Sequence, residues 1–128
     1  MSYTLNKRVD GEFDDVVERT ISELEDAGFG VLCDIDVQAT LEKKLGESFR
    51  QYRILGACNP ELAHQGLEAE LELGALLPCN VIVYEADDGD VVVSPVAPEE
   101  LLAVTGNSEL DSIGEEVRGQ FEQVLENL

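Results

Sequence analysis

The chain is poor in basic, aromatic and thiol side chains, and each shortage excludes a class of structure or function. Eight lysines and arginines stand against 28 aspartates and glutamates, and there are three cysteines, one histidine and no tryptophan. Without a basic stripe, binding to nucleic acid is not expected, because phosphate contacts need lysine and arginine side chains. Three irregularly spaced cysteines do not form a disulfide framework, so we expect reduced thiols in the cytoplasm.

Long apolar segments are also missing. No run approaches the roughly 18 residues that a membrane-spanning helix requires, so no membrane association is predicted. The first residues do not show the basic and apolar pattern of a signal peptide. Hydrophobic residues still make up 44% of the chain, which predicts a single domain over residues 1–128 whose core needs neither a disulfide nor a metal.

What the chain does have is acidic charge, with a net charge of -20 at pH 7. The carboxylates are spread from Asp10 to Glu126 and do not form one block, which favours a generally solvated surface. Such a surface is typical of a protein from a salt-adapted organism, because concentrated salt screens the self-repulsion. The alternative is a specialised acidic surface that binds a basic partner.

Hydrophobic periodicity predicts five strands and five helices. The strands are expected at residues 3–9, 30–37, 49–55, 81–85 and 90–94, with a tight turn at residues 87–89. The helices are expected from Asp14 to a stop at Gly28, over residues 38–45, 60–73 and 99–104, and in a C-terminal segment capped near Ser108. Strands and helices do not alternate regularly. The pattern therefore favours an α+β domain, a mainly antiparallel sheet with helices packed on one face.

The second strand places Cys33 on the same face as Val31, Ile35 and Val37. Because alternate residues of a strand point to one side, this pattern predicts that the Cys33 thiol lies in the core.

Two Cys-Asn pairs mark the part of the chain where chemically versatile side chains concentrate. Cys58 and Asn59 precede the helix that begins at Pro60, and Cys79 and Asn80 open the next strand. If the strands on either side of that helix are antiparallel neighbours, Cys58 and Cys79 lie at the same end of the sheet. A helix of about 14 residues advances about 21 Å, and residues 74–78 span only about 17 Å. The proximity therefore requires a shorter or oblique helix.

Four segments resemble the family catalogued as domain of unknown function 302, and the resemblance covers nearly the whole chain. They are GFGVL at 28–32, residues 35–46, YRILGACNP at 52–60 and LLPCNV at 76–81. The resemblance implies a fold similar to the TATA-binding-protein-like β-α-β(4)-α arrangement with an extra helix between strands, assembled as a homodimer. It implies no established reaction. Gly66 departs from the family pattern and costs about 1 kcal/mol of helix stability unless a close contact requires it.

Three roles remain open for the cysteine pairs. Cys58 precedes a helix N-terminus that stabilises a thiolate, so Cys58 and Cys79 are candidates for redox or sulfur transfer. Together with His64 they are alternatively candidates for a soft-metal site, although a fourth ligand is missing. The simplest interpretation is that both thiols are small core groups while Asn59 and Asn80 satisfy backbone groups.

Other polar residues admit equally simple interpretations. His64 lies on the helix as a possible base or ligand, but a lone histidine is more often a surface residue. Arg50 or Arg53 is a candidate to hold an anionic ligand, and the alternative is an ion pair with a carboxylate. Asp34 and Asp36 belong to a solvated acidic face more readily than to a cation site.

No catalytic motif is recognisable, and no cofactor is predicted. The leading hypothesis is a non-enzymatic, homodimeric domain that binds a small ligand or a partner, with Arg53, Cys58, Asn59, His64, Cys79 and Asn80 as the candidate site. The alternative is a thiol-dependent redox or sulfur-transfer protein that uses Cys58 and Cys79.

Overall fold

A computed structural model of the protein describes residues 2–128. The strands are β1 (Lys7–Val9), β2 (Gly30–Asp36), β3 (Tyr52–Cys58), β4 (Cys79–Glu85) and β5 (Val91–Pro95). The α-helices are α1 (Phe13–Asp26), α2 (Val37–Leu45), α3 (Pro60–Ala69), α4 (Pro98–Ala103) and α5 (Asp111–Glu126). Two 3₁₀ helices cover Leu71–Leu76 and Ser108–Leu110. Among the described residues, no helix is both long and apolar enough to cross a bilayer.

The five strands form one antiparallel sheet in the order β1-β5-β4-β3-β2. Its centre is the β3-β4 pair, in which Tyr52 lies opposite Tyr84 and Ala57 opposite Cys79. A hairpin turn at Gly89, which has a φ of 89°, joins β4 to β5. The predicted hairpin is therefore confirmed, because glycine adopts the positive φ that such a turn needs.

Helices α1 and α5 cover one face of the sheet. Each buries one stripe of its surface, and Phe121 of α5 stacks on Phe29 with ring centroids 4.9 Å apart. These stripes pack on alternate strand residues such as Leu55, Val81 and Val93, all fully buried. The α+β prediction, with helices on one face, is thus confirmed.

The opposite face of the sheet, here called the open face, has no helix packed on it among residues 2–128. Strand alternation directs Tyr52, Ile54, Ile82 and Tyr84 to this side, because their neighbours Leu55, Val81 and Val83 point to the core. The open face therefore leaves these aromatic and aliphatic side chains half-buried, where a second layer would cover them.

The prediction that Cys33 belongs to the core is wrong. Cys33 is exposed and lies opposite Gly56 in the β2-β3 ladder. A bulge between Val31 and Cys33 shifts the register, so residues on either side of Leu32 do not continue one face. Val31 packs on the core while Cys33 lies on the open face.

Helix α3 is shorter than the predicted 60–73. It ends at Ala69 because Glu70 has an extended backbone, and the chain continues in the 3₁₀ helix. A helix of ten residues advances only about 15 Å. The residues between Ala69 and Cys79 are therefore long enough to bring the chain back to the start of β4. Two strand predictions were also misplaced: β3 occupies Tyr52–Cys58 instead of 49–55, and in the first strand only Lys7–Val9 pairs continuously.

Candidate functional site

The two Cys-Asn pairs meet at one end of the β3-β4 ladder. Ala57 pairs with Cys79, and Cys58 follows Ala57, so the two cysteines lie one register position apart. The predicted proximity of Cys58 and Cys79 follows from the antiparallel pairing and the short α3 helix.

Both cysteines line an apolar cavity of about 40 Å³ beneath α3. Phe29 and Val117 of the main core form one side, and Leu73 and Leu102 of a second apolar cluster form another. Small-molecule sites usually enclose roughly 300–1,000 Å³. The cavity is therefore too small for a metabolite.

Burial governs the chemistry of the inner thiol. Loss of hydration, followed by the electrostatic effect of Cys58, raises the pKa of the Cys79 thiol to about 11. Because the thiolate is the nucleophile and the metal ligand, Cys79 is held in its unreactive form at neutral pH.

Asn59 has a structural role at the start of α3. Its Oδ1 accepts a hydrogen bond from the Leu62 amide at 3.3 Å, and Pro60 occupies the first turn. Its Nδ2 donates to Gln120 Oε1 of α5, also at 3.3 Å. Asn59 thereby caps one helix and joins it to another, as the sequence signature predicts for the cap.

The other candidate residues lie away from the cysteines. His64 is exposed on α3, 3.3 Å from Glu68. Arg53 is bound through two nitrogens to the carboxylate of Asp34. That ion pair occupies the guanidinium and, with the hydrogen bonds to Asp34 as the main cause, raises the pKa of Arg53.

Two further polar residues have structural partners. Arg50 pairs with Asp87 at 2.7 Å, and Asp36 caps α2 by accepting from the Ala39 amide at 2.9 Å. Within residues 2–128, no three histidine, cysteine or acidic side chains are grouped so that they could hold a metal ion.

Asn80, the second asparagine of the pairs, lies on the open face in a groove of about 380 Å³, here called the tyrosine groove. The groove crosses β3, β4, β5 and the segment before β1. Its lining is formed by Tyr3, Thr4, Asn6, Tyr52, Asn80, Ile82, Tyr84, Ser94 and Val96.

All three tyrosines of the chain line this groove. Tyr52 and Tyr84 are cross-strand partners whose rings stack with centroids 5.7 Å apart. Burial, then the proximity of Tyr84 and Tyr3, raises the pKa of the Tyr52 phenol. The three phenols therefore form one cluster, in which the Tyr52 phenol stays protonated at neutral pH.

Ser94 is the most buried polar residue of the groove, at 5% exposure. Among the described residues, no side chain or backbone group hydrogen bonds with its hydroxyl, nor with the hydroxyls of the three tyrosines. Within residues 2–128, Oε2 of Glu99 is the only buried side-chain nitrogen or oxygen without a partner, so the Ser94 hydroxyl is open to the groove. The groove thus presents hydroxyl groups that a ligand is able to satisfy.

Sequence reasoning singled out Asn80 as part of the cysteine pairs and did not predict the groove. Its residues come from segments between positions 3 and 96 and carry no charge, so no local motif marks them. The available signal was alternation: Tyr52 and Tyr84 flank core-facing residues on strands that were both predicted. Pairing those strands in register would have placed the two rings together.

An antiparallel five-stranded sheet covered on one side, with an uncharged polar groove on the other, defines a two-layer α+β domain. Residues 5–128 match the model of the family described as "Domain of unknown function DUF302", and the chain belongs to this family. Its fold is similar to that in the crystal structure of the uncharacterized conserved protein DUF302 from Bacillus stearothermophilus. The two chains are 27% identical, the match covers 98% of each, and the TM-score is 0.91. No curated protein matches the chain.

Proposed function

We propose that the protein is a non-enzymatic binding domain that holds a small ligand in the tyrosine groove. The observation that carries this proposal is the stacked Tyr52–Tyr84 pair in a groove that also holds Tyr3, the Ser94 hydroxyl and the Asn80 amide. A volume of about 380 Å³ falls within the range of small-molecule sites. The groove wall is divided about equally between polar and apolar surface, so it offers both packing and several hydrogen-bonding groups to a ligand.

A thermal-shift screen in molar KCl against neutral, cationic and anionic metabolites tests this proposal. We expect at least one saturable increase in melting temperature. The Asn80→Ala variant removes a groove amide and should weaken the response, whereas His64→Ala, an exposed change outside the groove lining, should not. If no metabolite in the screen gives a saturable increase in melting temperature, the proposal is contradicted.

The working form we propose is a homodimer formed through β2 and α2. Helix α2 buries none of its residues within the chain, and Leu32, Ile35, Leu45 and Phe49 nearby are all at least 42% exposed. Lys43 and Lys44, two of the three lysines, lie in its last turn. In a two-fold dimer the same surface of a second copy covers these exposed apolar side chains.

Light scattering after size exclusion measures this assembly. We expect a dimer for the unmodified chain and a monomer for Leu45→Asp. Leu71→Asp alters an even more exposed leucine, in the 3₁₀ helix, and should leave the dimer intact. A monomeric unmodified chain at every concentration would rule the dimer out.

The acidic surface supports a further part of the proposal, adaptation to concentrated salt. Among the resolved ion pairs, Arg8, Arg50, Arg53 and Arg118 each bind carboxylates. Most of the 28 acidic residues nevertheless have no cationic partner, since only eight lysines and arginines exist. Stability measured against KCl concentration tests the adaptation.

A thiol-dependent function is the second candidate, and the shared cavity of Cys58 and Cys79 is the observation in its favour. Against it stands the raised pKa of Cys79, which leaves the pair without a ready second thiolate. Alkylation of the native protein with readout at each cysteine separates the two functions. Labelling of exposed Cys33 alone at pH 7 supports the binding domain, and fast labelling of Cys58 supports the thiol function.

A further inference from the structure

We propose that the tyrosine groove selects a small organic cation that carries an ammonium group. This inference rests on the proposed binding function of the groove and names the class of ligand. It follows from three features: the groups that line the groove, the charges beside it and the charge of the whole chain.

The lining offers electron-rich groups and no fixed charge. Phenol, hydroxyl and amide oxygens of Tyr84, Ser94 and Asn80 carry partial negative charge that attracts the positive head of an ammonium group. The stacked rings of Tyr52 and Tyr84 add aromatic surface, to which cations are attracted by the ring quadrupole. None of the lining residues is basic, so an anionic ligand finds no counterion there.

The charges beside the groove point in the same direction. Arg8 and Arg50 share a neighbouring surface pocket with Tyr84. Arg8 binds both Asp88 and Asp90 at 3.0 Å, and Arg50 binds Asp87. Two guanidinium groups thus face three carboxylates, which leaves this end of the groove net negative. Both cations are occupied and do not attract an anion.

The field of the whole molecule strengthens this selection. A chain with a net charge of -20 raises the local concentration of cations and lowers that of anions near its surface. The attraction decreases as salt screens it, while direct contact with the rings and oxygens persists. A neutral ligand of the same shape gains the packing but not the electrostatic contribution.

Tyrosine emission provides a direct assay, because the chain has no tryptophan and its three tyrosines all line the groove. The probes are choline, its neutral carbon isostere 3,3-dimethyl-1-butanol, and the anion 3,3-dimethylbutanoate, titrated at one KCl concentration. We expect a saturable change with choline at an affinity at least about tenfold higher than with the neutral isostere. The anion should bind most weakly.

Two variants at one position test the aromatic contribution. Tyr84→Phe keeps the ring and should retain the preference for choline over the neutral isostere. Tyr84→Leu should reduce that preference about tenfold while leaving the affinity for 3,3-dimethyl-1-butanol nearly unchanged. Calorimetric titration of both variants avoids the loss of one fluorophore.

The outcomes separate this inference from the function on which it rests. Equal or tighter binding of the neutral isostere or the anion overturns the cation proposal but supports a ligand site in the groove. A choline response that Tyr84→Leu does not change overturns the aromatic contribution. If no probe alters the emission, the cation proposal fails, and a metabolite screen that is also blank refutes the binding function.

Discussion

At the scale of single residues, burial of the Cys79 thiol makes stability depend on alkaline pH. The folded chain raises the pKa of Cys79 from 9.0 to about 11, mainly through burial. Below the unfolded pKa the thiol is neutral in both states, so its contribution to stability is fully present. As the pH rises, the unfolded thiol ionises first and the native state is destabilised.

We therefore expect the stability contribution of Cys79 to be lost between about pH 9 and pH 11, by about 3 kcal/mol. Tyr52 adds a loss of the same sign, since its pKa is also raised. The measurement is urea unfolding across this pH range for the unmodified chain and for Cys79→Ala. The variant should lose less stability, and Cys33→Ala, at an exposed position, should follow the unmodified chain. Identical profiles for all three would contradict the shift.

Two helical glycines provide a matched test of close packing. A Cβ at Gly66 would lie 2.6 Å from Leu73 Cδ2, whereas a Cβ at Gly119 would meet nothing within 4 Å. Gly66→Ala should destabilise the fold by about 1 kcal/mol, because overpacking outweighs the gain in helix propensity. Gly119→Ala should stabilise it by up to about 1 kcal/mol. Thermal unfolding of both variants measures these changes. If both substitutions stabilise the fold, the Leu73 side chain moves aside without loss of stability, and the overpacking argument is wrong.

At the scale of elements, Asn59 determines how α3 begins and how it contacts α5. Asn59→Ala removes the cap and the bond to Gln120, and we expect a loss of about 1 kcal/mol. Asn59→Asp keeps an oxygen for the Leu62 amide and should retain most of that stability. Urea unfolding with unchanged m-values measures both. If Asn59→Ala and Asn59→Asp lose the same stability, the effect comes from the hydrogen bond to Gln120 of α5 and not from the helix cap.

The long helices were predictable because their apolar residues recur at helical spacing. The interruption at Glu70 was not, since Leu71, Leu73 and Leu76 continue an apolar pattern that also suits a 3₁₀ turn. The position of Cys33 was not predictable either. Alternation shows that residues share a face, but the bulge at Leu32 and the side on which the helices pack decide which face is covered.

The candidate site was predicted only in part, for a related reason. Local signals identified the cap at Asn59 and the proximity of Cys58 to Cys79. The size of the cavity they share depends on Leu73, Leu102 and other distant residues, so the sequence did not reveal that a metabolite does not fit. The tyrosine groove likewise depends on the pairing of four chain segments.

At the scale of the whole molecule, the acidic surface predicts a specific form of salt dependence. We expect stability in urea to rise steeply with KCl up to about 1 M, where the Debye length falls to about 3 Å, and then to level off. Screening of the net charge of -20 has this form, because repulsion between surface carboxylates is removed once the screening length is shorter than their separation. A stability that is independent of KCl would instead assign the carboxylates to a specialised interface.

The bulge in β2 has a consequence for the kind of contact that two copies of the chain make through this strand. Strand β2 is the longer outer strand of the sheet, and its free side carries backbone groups without a neighbouring strand. The irregular backbone at Leu32, followed by Asp34 and Asp36, spoils the flat hydrogen-bonding template on which a foreign strand would grow. We therefore expect copies to meet at this seven-residue outer strand through their side chains and not by adding a strand to the sheet, which disfavours fibril growth.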